Sequence, residues 1–309
     1  MSLIRSPRPT GPAGVATAQA AGLIGVVPRA TPAPLRRRRF LMSVGNHAVL
    51  IALSVMFVLP LVFVTLTALM STDQALTTEL WPRPFQWSNF PEVFRTIPVV
   101  QYTMNTMTVA TLSTIGVVLS SIPVAYALSR LRWRGRQAAF LVVLATIMLP
   151  YQVTIVPLYV LFARYHWIPS FKPLIVPLFF GDAFSIFLLR QFFLSIPSEL
   201  SEAARVDGAS EWQIMTRVIV PLAKPAIMAV ALFQFLYCWN DFFAPLLFLT
   251  EDPRMWTLAI GLSQFRGLHQ VEYNLMMAAS VLFLLPVIVL FFLAQRVFLE
   301  GVTVTGIKG

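Results

Sequence analysis

Apolar residues run in blocks of membrane-spanning length along most of this chain, and polar residues gather between the blocks. A bilayer core takes roughly 20 residues of helix. Six spans can be drawn on that basis, near residues 47–70, 102–128, 138–163, 172–195, 223–249 and 274–298. The fourth is interrupted, because Pro173 and Pro177 fall in its first turns and Asp182 lies within it. Between the fourth and fifth comes the one long polar-rich interlude of the second half, Ser198 to Pro221. Its pattern predicts two short helices. Ser198, after Pro197, is placed to N-cap the first, with Glu199 near the positive end of the helix dipole. Leu200, Ala203 and Ala204 recur at helical spacing and give a narrow face of small residues. Gly208 stands where a helix takes a left-handed C′ residue. Ser210 and Gln213 form a capping box for the second helix. A short helix with a small apolar face, presented outside the membrane, suits a groove on another protein.

The pattern predicts an all-α membrane protein of six transmembrane helices. Residues 1 to about 34 are rich in Pro, Gly, Ala and Thr without a sustained period, and Arg36–Arg39 follow. Residues 1–40 therefore read as a disordered basic tail, and residues 41–309 as one six-span domain. Arg37-Arg38-Arg39-Phe40-Leu41 is similar to the core of a twin-arginine export signal. The apolar run Ala48–Met70 is too long for such a signal, carries Pro60 and ends in no small-residue cleavage site, so it reads as a membrane anchor.

Composition sharpens the class. A mean hydropathy of +0.75 with 12% charged residues excludes an ordinary soluble domain. The net charge of +10 would point to nucleic acid in a soluble protein. Here it is first a statement about topology, since loop Lys and Arg set orientation. With the N-terminus inside, seventeen basic residues fall on the cytoplasmic side, among them Arg130, Arg132, Arg134, Arg136, Arg190, Arg205 and Arg217. Six fall outside. Both termini and the Ser198–Pro221 loop are then cytoplasmic, and no nucleic acid is needed to explain the charge.

Candidate chemistry is sparse. A charge at the centre of a membrane helix costs roughly 2.5–3.5 kcal/mol on insertion scales, so Asp182 and Asp241 need a reason. At helical spacing Gln234, Tyr237 and Asp241 share a face, with Asn240 beside Tyr237. Amide, hydroxyl, carboxylate and ring together suit a sugar; equally, they suit bonds between helices. Tyr151 and Gln152 follow Pro150 and are further candidates for a translocation path, with Pro150 and Pro157 expected to kink the third span. Asp182 follows Gly181 and faces either the same path or a partner helix. The longest outer loop, Ser71 to about Gln101, carries Trp81 and Trp87, which anchor at a membrane surface. Cys238 is the one cysteine, a packing residue within an apolar run. His47, His166 and His269 lie on different segments, with no metal-ligand spacing. No GxxxxGK[ST] occurs, so the chain lacks a P-loop of its own.

Glu202-Ala203-Ala204, three residues, Gly208, nine residues, then Val218-Ile219-Val220-Pro221 resembles the EAA loop of bacterial ABC importer permeases. That pattern ends Ile-x-Leu-Pro, so both apolar positions are Val here. The preceding RQFFLSIPSEL and Asp207-Gly208-Ala209-Ser210 resemble the sugar-importing branch, over about residues 45–309. The resemblance implies a type I importer permease with a cytoplasmic coupling helix, in which Glu202, Ala203, Ala204, Asp207, Gly208 and Pro221 meet an ATPase. It implies a homologous sister permease, two ATPase subunits that carry ATP and Mg, an external solute-binding protein, and a bacterial cell membrane around them. No cofactor is implied on this chain. Gly306-Ile307-Lys308-Gly309 is similar to the ending of maltose-type second permeases, where the tail lies against the ATPases, which implies the same contact for Gly306, Lys308 and Gly309. In that family the sister permease holds most of the sugar. Two rival readings stand beside it. A secondary transporter of a small polar solute would show an inverted repeat, and a membrane enzyme would show a second group converging on Asp182 or Asp241.

Overall fold

The computed structural model describes residues 33–266 and 272–305, with side chains from Met42 to Gln295. The chain divides into two units at Leu59–Pro60. Helix α1 (Ala33–Ala68) begins inside the stretch expected to be a disordered tail, and residues 1–32 lie outside the described residues. In the first unit its side chains from Met42 to Leu59 are all exposed, although the helix is strongly apolar.

Among its described residues, the regular elements of the second unit are helices, joined by loops of which 69–88 is the longest. After α2 (Asn89–Thr96) comes α3 (Val99–Ser129), which is the axis of the fold. Its residues enter every core cluster. Val99 and Tyr102 pack with α2, α13 (Leu258–Ser263) and α14 (Tyr273–Thr305). Val109 packs with α5 (Tyr151–Arg164), α6 (Lys172–Ile175) and α12 (Phe243–Leu249). Val117, Ala125 and Tyr126 pack with α7 (Ala183–Ser195), α9 (Glu211–Ile214) and α11 (Lys224–Asn240). Leu128 packs with α4 (Arg136–Ile147) and α7. The remaining elements are α8 (Ser198–Val206) and the short α10 (Val220–Leu222).

Four helical segments are long and apolar enough to cross a membrane: 42–68, 99–129, 172–195 and 273–295. Two bent pairs raise the number to as many as six. The third expected span is one of these pairs. Pro150 does more than kink it: α4 ends at Ile147, α5 starts at Tyr151, and the two axes differ by 92°. Pro157 sits inside α5 without ending it. The fifth expected span also breaks, at Asp241, and its first part bends by 78° against the segment 211–222.

Breaks in a dry environment leave backbone groups to be satisfied. In the fourth span, Pro177 has no N–H, so the carbonyl of Leu174 loses its i+3 partner. Ser113 Oγ of α3 donates to that oxygen at 3.2 Å, and Ser120 Oγ donates to Leu178 O at 3.2 Å. Gly116 lies between them, and a Cβ there would sit 2.6 Å from the Phe179 ring. Gly181, with φ +104°, then turns the chain, and Asp182 caps α7. Asp182 Oδ2 accepts from the Ser185 N–H at 2.8 Å and the Ser185 hydroxyl at 2.6 Å. This membrane carboxylate therefore works within its own segment.

Where α3 and α7 end together, two arginines cap each other's helices. The Arg130 guanidinium donates to the carbonyls of Phe193 and Ile196 at the end of α7. Arg190 of α7, 8% exposed, donates to Leu128 O at 3.0 Å near the end of α3 and stacks 3.8 Å over the Phe140 ring. Cations at helix C-termini also complement the dipole. We predict that Arg190→Met lowers stability by about 1–3 kcal/mol, the scale of a lost charged hydrogen bond, read as a lower melting temperature in detergent. Gly261→Ala would set a Cβ 2.5 Å from the fully buried Tyr102 ring. Overpacking of this kind costs about 1–3 kcal/mol, and a melt at parental temperature would show that α13 yields.

Candidate coupling site and core cavity

The polar interlude folds as two short helices around a glycine joint. Pro197 precedes α8, and Ser198 is its first helical residue rather than its cap, because the chain enters the helix directly from the extended Pro197. Among the described residues, no side chain caps this end. The other end is closed by a Schellman motif. The Ala209 N–H reaches Ala204 O and the Gly208 N–H reaches Arg205 O, both at 3.0 Å. This geometry requires a left-handed residue, and Gly208 has φ +81° with open space around it. Ser210 and Gln213 form the expected capping box, with Gln213 Oε1 accepting from Ser210 N at 2.8 Å. The helix runs on through a π turn, Met215–Ile219, to Pro221. Pro221 itself is exposed beside the bend at Ala223.

The faces of α8 divide. Ser201 is buried and Ala204 half-buried against the core formed by α3, α7 and α9, while Leu200, Glu202, Ala203, Val206 and Asp207 are exposed. Ala203 and Ala204 thus do different jobs: one lets the helix lie close to its own body, the other leaves a low outward surface. Glu202 stands at the rim of an open cleft of about 1450 Å³. Its walls include Arg130, Arg132, Trp133 and Arg136 on one side and Glu199, Ser201 and Arg205 on the other.

A charged network fixes the joint. Arg205 Nε donates to Glu211 Oε1 at 2.6 Å, and its Nη2 to Oε2 at 3.3 Å. The Tyr126 hydroxyl donates to Glu211 Oε2 at 2.6 Å. The Arg205 hydrogen bond, and after it that of Tyr126, hold the Glu211 carboxyl below the usual carboxylate range, against the opposing effect of burial. The Glu211 hydrogen bond raises Arg205. A depressed acid contributes stability above its unfolded pKa, about 4.3 for Glu, and loses it as pH falls through the folded value. The network is therefore intact through neutral and mildly acidic pH. Tyr126, Arg205 and Glu211 were not legible as a set in the sequence. The pattern of residues around Gly208 hinted at two helices, but nothing in it placed Tyr126, 85 positions away, beside Glu211.

The six candidate path residues separate. Tyr151, Tyr237 and Asp241 come together on a cavity of about 130 Å³, whose other walls are mostly apolar, Val109 of α3 and Phe248 among them. Of the expected face Gln234–Tyr237–Asp241, Tyr237 and Asp241 meet at the cavity, with Asp241 the C-cap residue of α11, while Gln234 is not among its lining residues. Gln234 is buried and donates to Cys238 Sγ at 3.2 Å, whereas Tyr237 is exposed. Asn240 donates to Leu236 O of its own helix at 2.8 Å. Asp241 Oδ1 accepts from the N–H groups of Phe243 and Ala244 at 3.1 and 3.3 Å, which makes it the carboxylate that restarts the chain as α12. Gln152 is exposed and does not line the cavity. The ending Gly306, Lys308 and Gly309 lies outside the described residues. Among the described residues no group of His, Cys, Asp and Glu could hold a metal ion.

Known proteins match this architecture. The chain is 31% identical over 262 residues to the arabinooligosaccharides transport system permease protein AraQ of Bacillus subtilis, covering 83% of this chain and 92% of that protein. It is 30% identical to the diacetylchitobiose uptake system permease protein NgcG of Streptomyces coelicolor, covering 84% and 86%. It is 32% identical to the sn-glycerol-3-phosphate transport system permease protein UgpE of Pectobacterium atrosepticum, covering 84% and 95%. The fold is that of a solved chain from a bacterial ABC transporter involved in the import of the acidic polysaccharide alginate, with a TM-score of 0.71 at 23% identity, over 84% of this chain and 97% of that one. Residues 116–304, which hold the glycine joint, the charged network and the cavity lining apart from Val109, match the binding-protein-dependent transport system inner membrane component family, and the chain belongs to that family.

Proposed function

We propose that this chain is one permease subunit of an ATP-driven importer for a carbohydrate, an oligosaccharide or related glycoside. The observation that carries the reading is the Glu202-Ala203-Ala204 helix closed by Gly208, exposed at the rim of a cleft between membrane-length segments. The names of two relatives, which speak of arabinooligosaccharides and diacetylchitobiose, support the solute class. A second solved match, to an alginate transporter with its oligosaccharide-bound periplasmic protein, supports an external solute-binding partner.

In this reading the cleft and α8 face the cytoplasm of a bacterial cell, with both termini on that side. Two ATPase subunits bind ATP and Mg, which this chain has no P-loop to hold. Leu200 and Ala203 enter a groove on one ATPase, and Glu202 meets a basic group or backbone amide there. Asp207 and Gly208 set the angle at which the next helix leaves, and Pro221 sits where that helix bends into α11. A sister permease and lipid cover the exposed apolar side chains of α1. The tail residues Gly306, Lys308 and Gly309 give a second ATPase contact. Tyr151, Tyr237 and Asp241 line the part of the translocation path that this chain contributes, with Gln152, Gln234 and Asn240 in supporting positions on the same segments.

The test uses the assembled transporter. Gly208→Asp forces a side chain into a left-handed backbone, a local cost of about 1–2 kcal/mol that leaves the packed core untouched. Glu202→Lys reverses a charge at the cleft rim. Both variants should insert and assemble at parental levels and lose binding-protein-stimulated ATP hydrolysis. Parental stimulation in either one would overturn the coupling reading.

A further inference from the structure

The segment 198–222 meets α3 through packing, and among the described residues through one side-chain hydrogen bond, from the Tyr126 hydroxyl to Glu211. Tyr126 is 3% exposed, so its ring is fixed by the core around Ile214 and Met215. Its hydroxyl is the polar group by which this wall of α3 reaches a side chain of the segment. Glu211 spends its other oxygen on Arg205, across the glycine joint. The carboxylate, carried on the first turn of α9, is therefore bonded to two other elements at once: the last turn of α8 and α3.

An exposed Arg–Glu pair by itself contributes little. The buried phenol changes that. A motion of α8 about Gly208 that left α3 behind would strand either the phenol or the guanidinium without its carboxylate. Gly208 has open space around it and the widest backbone freedom of any residue, so once its Schellman bonds yield the joint is where α8 would swing. α3 also borders the cavity, through Val109, alongside α5, α6, α11 and α12.

Resting on the coupling role proposed for α8, we infer that Glu211 is a positioning residue that locks α8 to α3 through Arg205 and Tyr126, so that α8 and α3 move as one body. The joint at Gly208 is thus closed by side chains as well as by its backbone bonds, and displacement of α8 is delivered to a helix that borders the cavity.

The test needs no identified solute. Spin labels at Val206→Cys on α8 and Leu119→Cys on α3, both exposed positions, report the distance between the two helices in the complete transporter in nanodiscs. Cys238 is replaced by Ser. Distances are compared without nucleotide and with ATP plus vanadate. The parent should keep one narrow distance in both states. Tyr126→Phe removes a single oxygen and keeps the ring, and Glu211→Ala removes the hub. Each should widen the distribution about twofold when nucleotide is trapped. The double variant should be no worse than Glu211→Ala alone, since both cut one tie. A Tyr126→Phe distribution identical to the parent's would overturn the inference, as would a parent whose α8–α3 distance changes with nucleotide. In either case, loss of stimulated ATP hydrolysis in Gly208→Asp would show that the coupling role of α8 itself still stands.

Discussion

At Pro177, Asp182 and Asp241 the hydrogen bonds lost with the helix are replaced by side chains, and that constraint organises the fold. A membrane helix satisfies its own backbone; a broken one does not. This chain breaks its helices at Pro150, Pro177, Asp182 and Asp241 and bends at Ala223. The replacements come from short polar side chains and from arginines. Ser113 and Ser120 take the loose carbonyls beside Pro177, Asp182 and Asp241 take the loose N–H groups, and Arg130 and Arg190 take the carbonyls where α3 and α7 end. Many of these donors stand on α3 or just beyond its end. That position explains why one helix can contribute to all four core clusters and why it is lined with small residues such as Ser113, Gly116 and Ser120.

The same constraint changes how buried polar residues are understood. Asp182 and Asp241 look at first like groups kept in the membrane for a solute. Both are engaged in restarting a helix. Asp241 does border the cavity with Tyr151 and Tyr237, yet one of its oxygens is committed to the backbone. What this chain offers at the cavity is chiefly apolar wall with two phenols and one carboxylate edge.

Much of this was legible in the sequence because it depends on local rules. Four segments of spanning length followed from length and hydropathy, whereas the third and fifth expected spans proved broken, and the glycine joint and capping box followed from residue types at fixed spacing. Gly208 could be placed in the left-handed region with no structure, since only the end of a helix at that point made sense of it. Ser198 could not be excluded as a cap by the same rules, because Pro197 starts the helix one residue earlier than the pattern suggests. Of the face read across Gln234, Tyr237 and Asp241, the last two meet at the cavity, while Gln234 is buried and bonded to Cys238. The Tyr126–Glu211–Arg205 network and the reciprocal arginine caps were out of reach. They join residues tens of positions apart, and Arg130, Arg190 and Arg205 are indistinguishable in sequence from arginines that only set orientation.

The most direct measurement is a pull-down of the tagged chain from its native membranes in mild detergent, with mass spectrometry of what accompanies it. A permease in which α8 is a docking helix should bring a second multi-span chain, an ATPase carrying a Walker motif, and a secreted binding protein. The binding protein so recovered can be screened against oligosaccharides to name the solute. Recovery of the chain alone, or only with copies of itself, across several detergents would contradict the proposal that the exposed face of α8 is built for an ATPase.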